Sequence, residues 1–281
     1  MILMLIVTAC YTVTSLSDKY AVAKLKMDGN TLTWLMAAAT SLFMLAYLPF
    51  DSRLFTLSWQ SFAAIALMVL SKLLEFKLSA IVLKEMSAFE LKAWLGITVF
   101  FSYITDLVGG SAGTAAAVVC RFAFIAATAA GLFMIARSGG EKINYRKIML
   151  PLAGYLLAKF GYGLIVNFAD GYISPTLSLF IALVILTAAL APAVRPIKLF
   201  KEKTKGAVVI ALTKIPNVIG LVLENAIAAQ SMANYSFIQP MILAALFFIG
   251  IIRREQASKL NIAGGIVCIA GVIGFQAVPL I

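Results

Sequence analysis

The chain has 281 residues, of which 62% are hydrophobic and only 12% charged, with a formal net charge of +11 and no histidine. Its mean hydropathy is +1.00, whereas soluble domains are roughly 45–50% apolar and about 25% charged, so no water-soluble fold of this length could hide the apolar surface. A bilayer removes that difficulty, and the lack of histidine removes the commonest general base, proton shuttle and metal ligand.

Spans of about 20 mostly apolar residues are predicted at 2–22, 31–50, 59–83, 88–106, 112–136, 148–169, 174–194, 207–230, 235–252 and 260–279. The first carries Thr8, Tyr11, Ser15, Asp18 and Lys19 on roughly one side. Its opening Val7–Cys10 loosely resembles a lipoprotein cleavage box, but Met1 to Ala9 has no basic region and reads as the start of a span. The second span has no internal charge. In the third, Lys72, Glu75 and Ser79 fall at i, i+3 and i+7, one face of a helix. Glu90 and Lys92 lie near the start of the fourth, where long side chains snorkel to the interface, as Asp18 and Lys19 would in the first. The fifth contains Arg121, a residue of the cavity or an interhelical clamp.

The sixth span carries Tyr155, Lys159, Tyr162 and, near its end, Asp170; the seventh again has no internal charge. The eighth holds Lys214, Asn217, Glu224 and Asn225, and the ninth Tyr235 and Gln239 beside Pro240, which loosens a helix. Small residues at Gly264, Ala270, Gly271 and Gly274 in the tenth, and the Gly109–Gly113 pair before the fifth, suit close helix packing. Cys10, Cys120 and Cys268 are far apart within apolar runs, with neither metal-site nor disulfide spacing.

Basic residues are unevenly placed. Connections after odd-numbered spans hold Lys24, Lys26, Lys84, Arg137, Lys142, Arg146, Lys147, Arg195, Lys198, Lys201, Lys203, Lys205, Arg253, Arg254 and Lys259; those after even-numbered spans hold essentially Arg53. The positive-inside rule then puts the odd connections in the cytoplasm and both termini outside a multi-pass cell-membrane protein. That distribution also accounts for the net charge without a nucleic-acid partner.

The halves echo one another. Ala80-Ile81 through Met86 matches Ala226-Ile227 through Met232, and Leu70-Ser71-Lys72 echoes Leu212-Thr213-Lys214 with about one turn of slippage. Five spans followed by five give opposite orientations, the inverted repeat of secondary transporters. The expected fold is therefore all-α and polytopic, with repeats at 1–138 and 148–281 joined by a cytoplasmic linker at 139–147. An internal repeat needs no second copy to build a site, so both monomer and homodimer fit.

Gln239-Pro240, Arg253-Arg254-Glu255, Gly264-Gly265-Ile266 and Ala270-Gly271-Val272, with the span count, resemble the ten-span EamA-type form of the drug/metabolite transporter superfamily. The first half departs from that pattern: Trp94 stands where a proline is expected, and Thr105-Asp106 replaces the acidic turn. The orientation departs too, many members keeping both termini inside. The resemblance implies alternating access around a cavity lined by spans one, three, four, six, eight and nine. Spans five and ten would be scaffold, and two and seven would face lipid or the cavity rim.

An ionisable residue inside a span costs about 2.5–3.5 kcal/mol on insertion scales, so it faces a cavity or a partner. Candidate substrate contacts are thus Tyr11, Lys72, Glu75, Arg121, Lys159, Tyr162, Lys214, Asn217, Glu224, Tyr235 and Gln239. Lys72 and Glu75 also read as a self-neutralising i, i+3 pair. The excess of deep cations points to a small polar metabolite, anionic or zwitterionic, with Glu75 or Glu224 exchanging protons as the coupling ion. Export of a cationic or quaternary amine is one alternative, though Trp34, Trp59 and Trp94 lie off the polar stripes. Flipping of a lipid-linked sugar or lipid phosphate is another. No nucleophile–base set, metal cluster or phosphate motif stands out, so neither catalysis, a metal nor a cofactor is expected.

Overall fold

The structure, a computed structural model, describes residues 2–25, 29–51, 55–82, 91, 94–110, 114–137, 145–252 and 258–278. Among these there is no strand. The helices are α1 (Ile2–Leu25), α2 (Gly29–Met44), α3 (Trp59–Val82), α4 (Ile97–Val108), α5 (Ala115–Arg137), α6 (Tyr145–Ala169), α7 (Pro175–Val194), α8 (Pro196–Leu212), α9 (Lys214–Gln230), α10 (Met232–Ile252) and α11 (Lys259–Ala277). A helix thus occurs at each of the ten predicted spans, the eighth being the end of α8 plus α9. The sequence features at Lys26, Arg53, Lys84, Met86, Glu90, Lys92, Gly113, Lys142 and Arg253–Glu255, and most of the 139–147 linker, lie outside the described residues, as do the side chains of Asp18, Lys19, Lys24, Arg146, Lys198, Lys201 and Lys203.

Among the described residues, five helical stretches are long and apolar enough to cross a membrane: Ala115–Met134, Lys147–Ala169, Pro175–Val194, Thr204–Gln230 and Met232–Gly250. Shorter apolar helical runs occupy Ile2–Ser17, Thr98–Val108 and Ile262–Phe275. Large apolar side chains face outward, with Leu150, Ile252 and Val119 largely exposed, while Lys72, Lys159, Lys214 and Glu224 are buried. Apolar groups outside and charges inside is the arrangement of a protein whose solvent is lipid.

Packing is regular. Helix α5 lies against α11, α2 against α7, and α4 against α10; α3 packs on α6 and α7, and α1 and α2 pack on α9. One apolar core runs through the centre from Met4 and Val7 to Val166, Leu179, Phe237 and Ile242, joining the two halves of the chain.

Local chemistry sets several helix ends. Pro49 has no backbone N–H and disfavours helix at Leu48, so α2 stops at Met44 and the chain continues as a short 3₁₀ turn, Leu48–Phe50, inside what the hydropathy marks as the second span. Ser174 caps α7 ahead of Pro175, accepting from the Leu177 N–H at 3.5 Å, and its hydroxyl also bonds the Asp51 carboxylate. The start of α10 is capped from another helix: Asp106, on α4, accepts from the backbone N–H of Met232 and Ala233 at 3.1 and 3.0 Å and from the Ser231 hydroxyl at 2.9 Å. Asp106 thus ties the first half of the chain to the second. The basic connection after the seventh span, expected as a loop, is the first half of α8. Arg195, at φ 52°, turns the chain and Pro196 opens the helix.

Candidate functional site

Five helices bring polar side chains to one point inside the bundle. Lys72 and Glu75 come from α3, Lys159 and Tyr162 from α6, Glu224 from α9, Tyr11 from α1, and Tyr235 and Gln239 from α10. Their spacing puts each set on one helix face. The approach of α1 to α9 requires Gly220, since a Cβ there would lie 2.9 Å from the Tyr11 ring.

The four charged groups form a chain. Lys72 Nζ donates to Glu75 Oε2 at 2.9 Å; Lys159 Nζ lies 3.7 Å from Glu75 Oε1 and donates to Glu224 Oε1 at 3.1 Å. The hydroxyl of Tyr11 donates to the other Glu224 oxygen. Two cations and two anions thus share one buried site with no net charge. Glu224 is fully buried and the Glu75 side chain is 13% exposed.

Aromatic rings complete the walls. The Lys72 ammonium sits 3.7 Å from the Tyr162 ring centroid, and Lys159 lies 5.6 and 5.7 Å from the rings of Tyr162 and Tyr235. Ring faces attract desolvated cations, which holds both ammoniums between rings and carboxylates. Tyr162 donates its hydroxyl to Asn225 Oδ1 at 2.6 Å, and Tyr235 to the Lys159 carbonyl at 3.0 Å. Beside the charges lies a cavity of about 100 Å³, lined by Tyr11, Thr14, Ser15, Lys72, Glu75, Lys159, Leu221 and Gln239.

Of the residues picked out in the sequence, Tyr11, Lys72, Glu75, Lys159, Tyr162, Glu224, Tyr235 and Gln239 meet at or around this cavity. The i, i+3 pairing of Lys72 with Glu75 is present, but it does not stand alone, because Lys159 links it to Glu224. Three candidates lie elsewhere. Arg121, on α5, places its guanidinium 5.7 and 5.6 Å from the rings of Tyr103 and Phe275, clamping α5 to α4 and α11. Lys214 is fully buried at the start of α9, and Asn217 donates to Thr40 Oγ1 of α2 at 3.4 Å. Asp170, which is not one of those candidates, sits in the turn after α6. No described residue of the fourth span lines the cavity, which the resemblance would have placed there.

Thr14 and Asn225 are contacts the sequence reading left out of the candidate set. Thr14 falls three residues beyond Tyr11 and one before Ser15, so the stripe on the first span contained the signal for it. A second, apolar hollow of about 470 Å³ lies between α2 and α9, lined by Phe43, Ala46, Tyr47, Ile215, Val218, Ile219, Val222 and Leu223. Among the described residues, no group of histidine, cysteine, aspartate and glutamate is arranged to hold a metal.

No family model and no curated protein matches the chain. Among solved structures, 22 chains are similar to it in fold. One, described only as "Crystal structure of protein", has a TM-score of 0.64 at 15% identity and covers 99% of this chain and 98% of its own. At that identity the likeness speaks of fold alone.

Proposed function

We propose that the chain is a secondary carrier that moves a small zwitterionic or anionic metabolite across a membrane by alternating access, through the cavity at Lys72, Glu75, Lys159 and Glu224. The observation that carries this reading is the neutral, buried quartet. Charges in a membrane interior are costly, and a buried ion pair stabilises a fold no better than well-packed apolar groups. Their presence is explained by a ligand that exchanges partners with them. A zwitterion does so without leaving net charge behind: its anionic group takes a lysine, and its cationic group takes a carboxylate. An anion alone needs an accompanying proton, which Glu75 or Glu224 would carry. Because Arg121 and Lys214 lie away from the cavity, the cation excess that favoured a simple anion is smaller, and the zwitterion ranks first.

The helix pairing supports ten spans in two inverted halves. Exchanging each span for the one five later turns the α3–α6 contact into α9–α1 and the α3–α7 contact into α9–α2, while α2–α7, α4–α10 and α5–α11 map onto themselves. The cavity volume supports alternating access, since about 100 Å³ is well below the roughly 300–1,000 Å³ of ligand pockets. A substrate would enter only when the helices part. An EamA-type carrier fits these features.

The test is counterflow in proteoliposomes with a panel of small labelled zwitterions, anions and cations, with and without a pH gradient. Saturable exchange of a zwitterion or anion, lost in Lys159→Ala, is the expected result. Exchange of cations alone, or exchange unaffected by Lys159→Ala, would overturn it.

The apolar hollow between α2 and α9 favours a second reading, flipping of a lipid-linked polar group. Helix α9 would then separate a headgroup at Glu224 from a tail beside Ile219 and Leu223. Protein-dependent translocation of a fluorescent lipid phosphate, stopped by Ile219→Trp, would favour it over the carrier.

A further inference from the structure

Helix α8 is graded along its length. Between Arg195 and Lys205 stand five basic residues, Arg195, Lys198, Lys201, Lys203 and Lys205, against the single acidic Glu202; from there to Lys214 the chain carries no charge. Positions 198, 201 and 205 share a helix face by their i, i+3, i+7 spacing, the side chains of Lys198 and Lys201 lying outside the described residues. Lys205 is exposed there, and one to two turns on, the same side presents Val208, Val209 and Leu212, 46%, 48% and 55% exposed. The opposite side is docked, with Leu199, Ala207 and Ile210 buried against Trp34 and Leu35 of α2. The Trp34 indole N–H donates to the Thr187 carbonyl of α7 at 3.1 Å, which ties that platform together.

We infer that the exposed side of α8 binds an anionic phospholipid, its phosphate at Lys198, Lys201 and Lys205 and an acyl chain along Val208, Val209 and Leu212. A cluster of lysines beside a membrane span attracts anionic headgroups, and a zwitterionic headgroup cancels much of that attraction with its own cation. The apolar continuation distinguishes a lipid from a soluble anion, which has no use for a groove-free hydrocarbon face beneath its charge. Docking on α2 fixes the helix, so binding costs little ordering. This inference is independent of whether the chain is a carrier.

The experiment uses the full-length protein in nanodiscs of equal parts phosphatidylcholine and phosphatidylglycerol, with native mass spectrometry counting the lipids retained after release. Wild type should retain phosphatidylglycerol in preference. K198Q/K201Q/K205Q should lower that preference at least about tenfold, given roughly fivefold per lysine at an anionic surface, and added salt should lower it too. K142Q/R146Q/K147Q, with the same charge change on another basic connection, should retain it. If the α8 triple variant does not fold, K205Q alone should lose part of the preference. No preference in wild type, or equal loss in the control triple, overturns the proposal.

Discussion

Lys159 and Glu224, 65 residues apart in sequence, meet at 3.1 Å where α6 crosses α9, and both are buried. Glu224 is held on its other oxygen by Tyr11, and Lys159 reaches Glu75 at 3.7 Å. Removing one partner strands a buried charge, whereas removing both does not. Lys159→Met should lower unfolding stability by about 3–5 kcal/mol, and Lys159→Met/Glu224→Gln should lose less than the two single changes summed. Thermal unfolding in detergent, run as a double-mutant cycle, measures the coupling; additive losses would contradict it.

Tyr162 contributes through two separable features. Its ring lies under the Lys72 ammonium and its hydroxyl donates to Asn225. Tyr162→Phe keeps the ring and should cost about 0.5–1.5 kcal/mol, one hydrogen bond. Tyr162→Ala also opens a cavity in a fully buried position and should cost roughly 3–5 kcal/mol. The ratio of the two shifts in unfolding midpoint reads the ring's share.

Asp106 acts at a distance from the cavity. It satisfies two N–H groups at the start of α10, which would otherwise lack intrahelical partners. Asp106→Ala should cost about 0.5–2 kcal/mol, and Asp106→Asn less, because an amide oxygen still accepts. Hydrogen exchange at Met232 and Ala233 should rise in the alanine variant before the rest of α10 responds.

Close packing of α5 on α11 yields a contrasting pair. A Cβ at Gly131 would lie 2.6 Å from the Gly264 carbonyl oxygen, a backbone atom that cannot swing away. Gly131→Ala should therefore destabilise by about 1–3 kcal/mol. Gly161, on α6, has nothing within 4 Å of the same position. Gly161→Ala should be neutral or stabilise by up to about 1 kcal/mol through helix propensity. Paired melting curves check both.

Much of this arrangement is legible in the chain itself. Hydropathy locates the helices because each must be apolar over most of its length, and charges stand out against that background. Helical spacing then groups Lys72 with Glu75 and places Lys159 beside Tyr162. Which stripes meet is a tertiary fact, and periodicity carries no information on it. Lys214 illustrates the limit: it lies ten residues before Glu224, about 15 Å along a helix, so one small cavity cannot hold both. Helix α8 escaped for a different reason. Its lysines lower the local hydropathy below that of a span, while the face that makes it a helix in the fold, Leu199, Ala207 and Ile210, depends on Trp34 and Leu35 being there to cover it.

Alternating access through the quartet's cavity is the central claim, and side-specific labelling of a cavity residue tests it without a known substrate. The protein would carry Ser15→Cys, with Cys10, Cys120 and Cys268 replaced by serine, in vesicles of each orientation. Two clasps join the halves at connections that follow even-numbered spans, Asp51 with Ser174 and Asp106 with the start of α10. A membrane-impermeant thiol reagent should label the thiol introduced by Ser15→Cys from both sides. Asp51→Asn/Asp106→Asn should raise the rate from the clasped side and lower it from the other. Labelling from neither side, or both rates rising together, would contradict the account.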